Sequence, residues 1–264
     1  MNIGMIGLGN MADAIIGGML KQKIVKTQEL MGSAATDRTV ARMAEKYGIL
    51  TTRDNRAVAE WADIVVLAVK PQFLETVIAE IKEAIREETL LVTVAAGKSI
   101  QWYETAFERP IRLIRCMPNT PALVGEGCTA VCPGGNVTEE EKAYVLRLMG
   151  SFGRTCLIPE SRMDAFSAVA GSSPAFVFLF LEALTDGGVA AGMTRAEAIE
   201  AAAQAVLGSA RLLLETGRHP GELKDMVCSP GGTTIQGVKA LEQGGMRGAV
   251  MDAVAACVER AGKL

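Results

Sequence analysis

The chain is short of the side chains that do most acid–base and metal chemistry. One histidine, His219, occurs in 264 residues. Six cysteines are scattered at Cys116, Cys128, Cys132, Cys156, Cys228 and Cys257, and only Cys128 and Cys132 stand close together. A zinc site would need two more ligands at suitable spacing. No metal is therefore expected, and the cysteines read as free thiols of a reducing compartment. Basic excess is missing as well. The net charge is −3, which argues against nucleic acid as a partner. No long apolar run is present either. The longest, Ala175 to Leu181, is interrupted by Glu182 and falls far short of the roughly 20 residues that cross a bilayer. The first residues carry no basic stretch and no small-residue cleavage site. These features lead us to expect a cytoplasmic protein with no membrane span.

Apolar surface, by contrast, is plentiful. Hydrophobic residues make up 49% of the chain, more than a single copy of this size can be expected to hide. Residues 165–194 hold only two charged side chains, Glu182 and Asp186. A helix that is apolar on all sides must be covered on all sides, so a homo-oligomer is expected.

Strands and helices alternate through Met117. Met1–Ile6 is a short apolar run and Glu29–Ser33 reads as a second strand, while Asp63–Val69, Leu90–Ala95 and Ile111–Cys116 read as strands buried on both faces. The segments Met11–Leu20 and Asp37–Tyr47 read as helices, the second capped by Thr36 or Asp37. Two further strands, Gly127–Cys132 and Arg154–Ile158, flank a helix opened by a capping box of Thr138 and Glu141, and they extend the sheet edge. Beyond Pro159 the pattern is helical: 162–191, 195–216 (with a second capping box, Thr194 and Glu197), 220–227, 234–243 and 246–261. The expected fold is an α/β Rossmann-type domain with a mostly parallel sheet over 1–159, followed by an all-α domain over 160–264.

The first strand runs into Gly7-Leu8-Gly9-Asn10-Met11-Ala12, a GxGxxA loop that opens a helix. In that context Gly7 makes the tight turn, Gly9 lets the backbone approach a pyrophosphate, and Ala12 permits close packing of helix on strand. The free N–H groups of the helix start face the phosphates. The second strand ends Ser33-Ala34-Ala35 without the acidic residue that would hold a ribose hydroxyl. Ser33, Thr36 and Arg38 are candidates for a 2′-phosphate instead, which favours NADPH, with NADH as the alternative. Lys70, in Val69-Lys70-Pro71-Gln72, is expected at the cofactor edge of the sheet, as is Asn119 in the proline-fixed loop Cys116–Pro121. A second glycine-rich stretch, Ser229-Pro230-Gly231-Gly232-Thr233-Thr234, precedes a helix and has the composition of a backbone anion site. By itself it is equally an ordinary capped loop.

The segments GLGNMA (7–12), AVKPQ (68–72), MPNTPA (117–122), GSSPAF (171–176) and above all KDMVCSPGGTTIQG (224–237) make the whole chain resemble the pyrroline-5-carboxylate reductases. The resemblance implies an oxidoreductase of amino-acid biosynthesis that converts 1-pyrroline-5-carboxylate to L-proline with NAD(P)H, the last step of proline synthesis. It also implies a homodimer with interlocked helices, assembling further into decamers in many members, and an active site at the dimer interface. The implied cofactor contacts are Gly7 to Ala12, Ser33, Asn55, Ala68 to Gln72 and Ala96. The implied substrate contacts are Ser229 and Gly231 to Thr234. We expect the substrate carboxylate on the N–H groups of Gly231–Thr234, with Thr234 orienting the imine as the catalytic residue. One departure stands out: Ala170-Gly171-Ser172-Ser173-Pro174 replaces the family's Ser-Gly-Ser-Gly-Pro.

Three other readings compete. A β-hydroxyacid dehydrogenase needs a base, usually a lysine on the long helix of its second domain, but 162–191 contains neither lysine nor histidine. A reductase of a neighbouring cyclic imine, or an NADPH sensor without catalysis, would share the first loop.

Overall fold

The computed structural model describes residues 1–263. Eight strands form one sheet: β1 Ile3–Ile6, β2 Leu30–Ser33, β3 Leu50–Thr52, β4 Ile64–Leu67, β5 Leu90–Thr93, β6 Arg112–Met117, β7 Gly127–Pro133 and β8 Gly153–Leu157. Their order is β3-β2-β1-β4-β5-β6-β7-β8. The first six strands in chain order run parallel, β7 turns back antiparallel to β6, and β8 runs parallel to β7. Strands β1, β4 and β5 are buried at every residue, as expected where helices cover both faces of a parallel sheet. On one face α1 (Asn10–Lys21), α2 (Asp37–Tyr47) and α6 (Glu139–Met149) cover Ile3, Met5, Val66, Val92 and Ile114. On the other, α3 (Asn55–Trp61), α4 (Leu74–Ile81) and α5 (Ile100–Phe107) cover Ile6, Val65, Leu67, Leu91 and Leu113.

The expected mostly parallel sheet and its two-strand edge extension are both present. Strand β3 was not read from the sequence, because Leu50-Thr51-Thr52 is short and its leucine is exposed. The cap of α2 resolves to Thr36, whose Oγ1 accepts from Thr39 N at 3.3 Å. Asp37, treated as a capping residue, lies inside the first turn and pairs with Arg53.

The helix expected over 162–191 is not uniform. It consists of α7 (Met163–Phe166), a wide π-helical turn over Ser167–Ser172, and α8 (Ser173–Ala190). Pro174 leaves a gap in the ladder just beyond the wide turn. An α-helix would pair the N–H of residue 174 with Ala170 O, and Pro174 has no N–H to give. Asn119 Nδ2 donates to that carbonyl at 2.9 Å instead.

Contacts divide the chain into two compact units, 1–171 with 258–264, and 172–257. The last strand ends at Leu157, but Met163 and Phe166 pack with Ala130 and Cys132, which keeps α7 with the sheet. The second unit holds α8, α9 (Arg195–Thr216), α10 (Pro220–Val227), α11 (Thr233–Gln243) and most of α12 (Met246–Ala261). The Thr194–Glu197 box caps α9. His219 caps α10, its Nδ1 accepting from Gly221 N at 3.1 Å. Among its residues only Thr185, Ala198 and Ala202 are buried. Phe178 and Leu179 on α8 are 66% and 68% exposed. The segment Glu160–Ala190 is long and apolar enough to cross a membrane. Counting only the uninterrupted run from Ala175 to Leu181 missed this, because glycine, serine and threonine lengthen an apolar helix without charging it.

Candidate active site

In an open sheet of this winding, ligands lie at the carboxyl ends of the strands, where the strand order reverses. Here that point lies between β1 and β4. Gly7 leaves β1 with φ +98° and donates to Ser33 O at 3.0 Å. A Cβ there would stand 2.7 Å from Val69 Cγ1 and 2.8 Å from the Ala68 carbonyl, so only glycine fits. Gly9 differs: a Cβ would meet nothing within 4 Å, so no packing inside the chain accounts for that glycine. The first turn of α1 has no side-chain cap, leaving its N–H groups for a ligand. Leu8 is buried against Gly32, and Ala12 is buried in the core. Their side chains hold the loop in place, Met11 is half-buried against the same core, and Asn10 stays at the surface. Asp13 anchors α1 to α2 through Lys46 Nζ at 2.8 Å and Arg42 at 3.8 Å. Burial pushes its carboxyl pKa up, but the Lys46, Tyr47 and Arg42 contacts outweigh that and hold it below its ordinary value.

The structure brings several of the sequence-assigned positions to the same edge. Ala68 N donates to Ile6 O at 2.8 Å, so the strand end at 68–72 lies beside the glycine loop. Lys70, exposed, precedes a 3₁₀ turn over Pro71–Phe73. Ala96 follows β5 at that edge, half-buried. Ser33 and Asn55, 22 residues apart in sequence, are hydrogen-bonded, with Ser33 Oγ donating to Asn55 Oδ1 at 2.6 Å. Asn55 Nδ2 in turn donates to Glu80 Oε2 at 2.6 Å. Ser33 is fully buried, and Arg38 is exposed on the first turn of α2. Asn119, assigned to the cofactor, bridges two backbone groups, accepting from Cys128 N at 2.8 Å and donating to Ala170 O. That bracing role was not legible, because it depends on a carbonyl orphaned by Pro174 much later in the chain. Sequence reasoning also missed Arg53, whose Nη2 donates to Ala35 O at 3.1 Å. Recognising β3 would have placed it there.

The second glycine-rich stretch lies in the second unit. Gly231 has φ +69°, and Gly232 N donates to Ser229 O at 3.0 Å, closing a turn. A Cβ on Gly232 would stand 2.4 Å from Ser229 Oγ. Helix α11 then starts at Thr233 with no side-chain cap. Ser229, Gly231, Thr233 and Thr234 are exposed. Both glycine-rich stretches therefore end on uncapped helix starts, a geometry that accepts anions.

Residues 160–264 match the family model described as pyrroline-5-carboxylate reductase dimerisation, and residues 2–97 match one described as NADP oxidoreductase coenzyme F420-dependent. Over 262 residues the chain is 44% identical to the pyrroline-5-carboxylate reductase of Escherichia coli (strain K12), covering 99% of this chain and 97% of that protein. The corresponding protein of Methanosarcina acetivorans is 43% identical over the same shares. Among solved structures, a pyrroline-5-carboxylate reductase from Coxiella burnetii superposes with a TM-score of 0.93 at 35% identity, covering 99% of this chain and 97% of that one. A Plasmodium falciparum pyrroline carboxylate reductase with NADP bound gives 0.89 at 32% identity over the same shares.

Proposed function

Because the chain belongs to the pyrroline-5-carboxylate reductase family, we infer that it reduces 1-pyrroline-5-carboxylate to L-proline with NADPH, the closing step of proline synthesis. The observation that carries the reading is the pair of glycine-rich stretches, each ending on an uncapped helix start. When bound, NADPH supplies the hydride for the C=N carbon.

The chain's own residues bind and orient. The backbone of Gly7 to Ala12 and the first turn of α1 hold the pyrophosphate. Ser33, Asn55 and Arg38 line the adenosine side, and Ala68 to Gln72 with Ala96 line the nicotinamide side. The open space at Gly9 and the uncapped α1 start fit such a group. The N–H groups of Gly231 to Thr234 take the substrate carboxylate, with Ser229 beside them, and Thr234 Oγ1 hydrogen-bonds the imine nitrogen. A basic imine arrives protonated or takes a proton from water, so orientation carries most of the rate.

The dehydrogenase reading lacks its base on α8, and a sensor without catalysis has no use for a second anion seat. We place the functional boundary at 159/160, where the dimerisation match begins. We further propose that α8 and its neighbours interlock with those of a second copy, that such dimers build a decamer, and that a second copy rather than a bilayer covers the apolar segment Glu160–Ala190. The expected setting is cytoplasmic.

The test mixes purified protein with NADPH and 1-pyrroline-5-carboxylate. Absorbance at 340 nm falls and L-proline accumulates in equal amount. Oxidation of NADPH by a keto acid or a six-membered cyclic imine, but not by this substrate, would sink the assignment.

A further inference from the structure

We propose that Arg53 is the side chain that recognises the 2′-phosphate of NADPH, exchanging its contact with Asp37 for the phosphate. The proposal rests on the reading of the Gly7–Ala12 loop as the nucleotide seat. In a doubly wound sheet the adenosine ribose lies against the end of the second strand and the loop that follows it. Strand β3 pairs with β2 in parallel, with Ser33 opposite Thr52, and Ala34 N donates to Thr52 O at 3.3 Å. The first residue beyond β3 is therefore delivered beside that loop, and it is Arg53. Its Nη2 donates to Ala35 O at 3.1 Å, and its Nη1 lies 3.4 Å from Asp37 Oδ2.

Two hydroxyl side chains at this edge are committed. Thr36 Oγ1 caps α2 and hydrogen-bonds Thr39 Oγ1 at 2.9 Å. Ser33 Oγ is buried and bonded to Asn55. The Arg53–Asp37 pair is not: its side chains are 57% and 83% exposed. A pair so open to water is weak and readily exchanged. A guanidinium presents two parallel donors that match a phosphate, which an ammonium or hydroxyl does not. The pair thus holds the fork at the loop until an anion of higher charge arrives. Arg38, on the same turn of α2 as Asp37, is the rival cation.

Isothermal calorimetry on the full chain compares 2′,5′-ADP with 5′-AMP, which lacks only the 2′-phosphate. We expect Arg53→Gln to weaken 2′,5′-ADP by about 10-fold or more, the scale of a charge-assisted phosphate contact, and to leave 5′-AMP unchanged. Asp37→Asn tightens 2′,5′-ADP, because a competing carboxylate is removed. Arg38→Gln has the smaller effect. Unchanged 2′,5′-ADP binding in Arg53→Gln, equal weakening of both nucleotides, or a larger loss in Arg38→Gln would each overturn the assignment. Wild-type protein that binds both nucleotides equally would overturn recognition of the 2′-phosphate. Wild-type protein that binds neither would remove the nucleotide seat itself.

Discussion

Thr234 is the residue on which the proposed chemistry turns, yet among the described residues its hydroxyl has no hydrogen-bond partner. It stands exposed in the first turn of α11. In the proposed site its hydroxyl orients the imine. Thr234→Ala should therefore cut kcat by roughly 10-fold or more, the scale of an orienting or proton-transfer group. Thr234→Ser, which keeps the oxygen, should recover most of the loss in the same steady-state assay. Wild-type turnover in Thr234→Ala would remove the role. Residue by residue, the sequence was legible where a motif states a backbone need. Gly7 is glycine because its φ is +98° and a Cβ would collide with the Ala68 backbone, and Gly231 because its φ is +69°; the motifs announce both. It was not legible where a side chain's partner comes from a distant segment. Asn119 reads like a ligand for the cofactor, and its partners Cys128 and Ala170 follow only from the fold.

Among the elements, the anchor between α1 and α2 depends on one carboxylate. Asp13 is tied to Lys46 and Arg42, and these contacts hold its pKa below the ordinary value against the opposing pull of burial. A depressed carboxyl pKa adds stability that is present above the unfolded pKa, near 4, and is lost as pH falls through the folded value. Asp13→Asn should lower the unfolding free energy by about 1 kcal/mol at pH 7. The difference from wild type should shrink toward zero in urea titrations taken at progressively lower pH below 4. A difference that stays constant to pH 2 would show that the carboxylate's charge is not what matters. The helices and buried strands that carry this anchor were legible from capping residues and β-branched runs. Strand β3 was not, because three residues at the sheet margin with an exposed leucine carry no hydrophobic period. The π-helical turn at Ser167–Ser172 was not either, since apolar periodicity is blind to how many residues close each turn.

At the scale of the molecule, the contrast is between a sheet buried on both faces and a helical unit with three buried residues. Such a unit hides too little apolar surface to offset its own ordering, and it lies within the residues that match the dimerisation model. Leu179→Asp puts a charge on the exposed face of α8 and should weaken self-association by about 30-fold or more, as loss of an interface anchor does. Sedimentation equilibrium would show wild type as a dimer or larger and the variant shifted toward monomer. Wild-type protein that stays monomeric and floats with lipid vesicles would assign that face to a membrane instead. Oligomerisation was legible from the scarcity of charge over 165–194, although the length of the apolar segment was underread. The two proposed anion seats have one more property in common. Each is assembled from peptide N–H groups, and a peptide group neither gains nor loses a proton across the range in which a cell lives. The enzyme thus contributes almost no titration of its own to ligand capture. On that proposal its acidity profile belongs to the small molecule it holds, and a change of pH would register through the ring nitrogen of the substrate rather than through the protein.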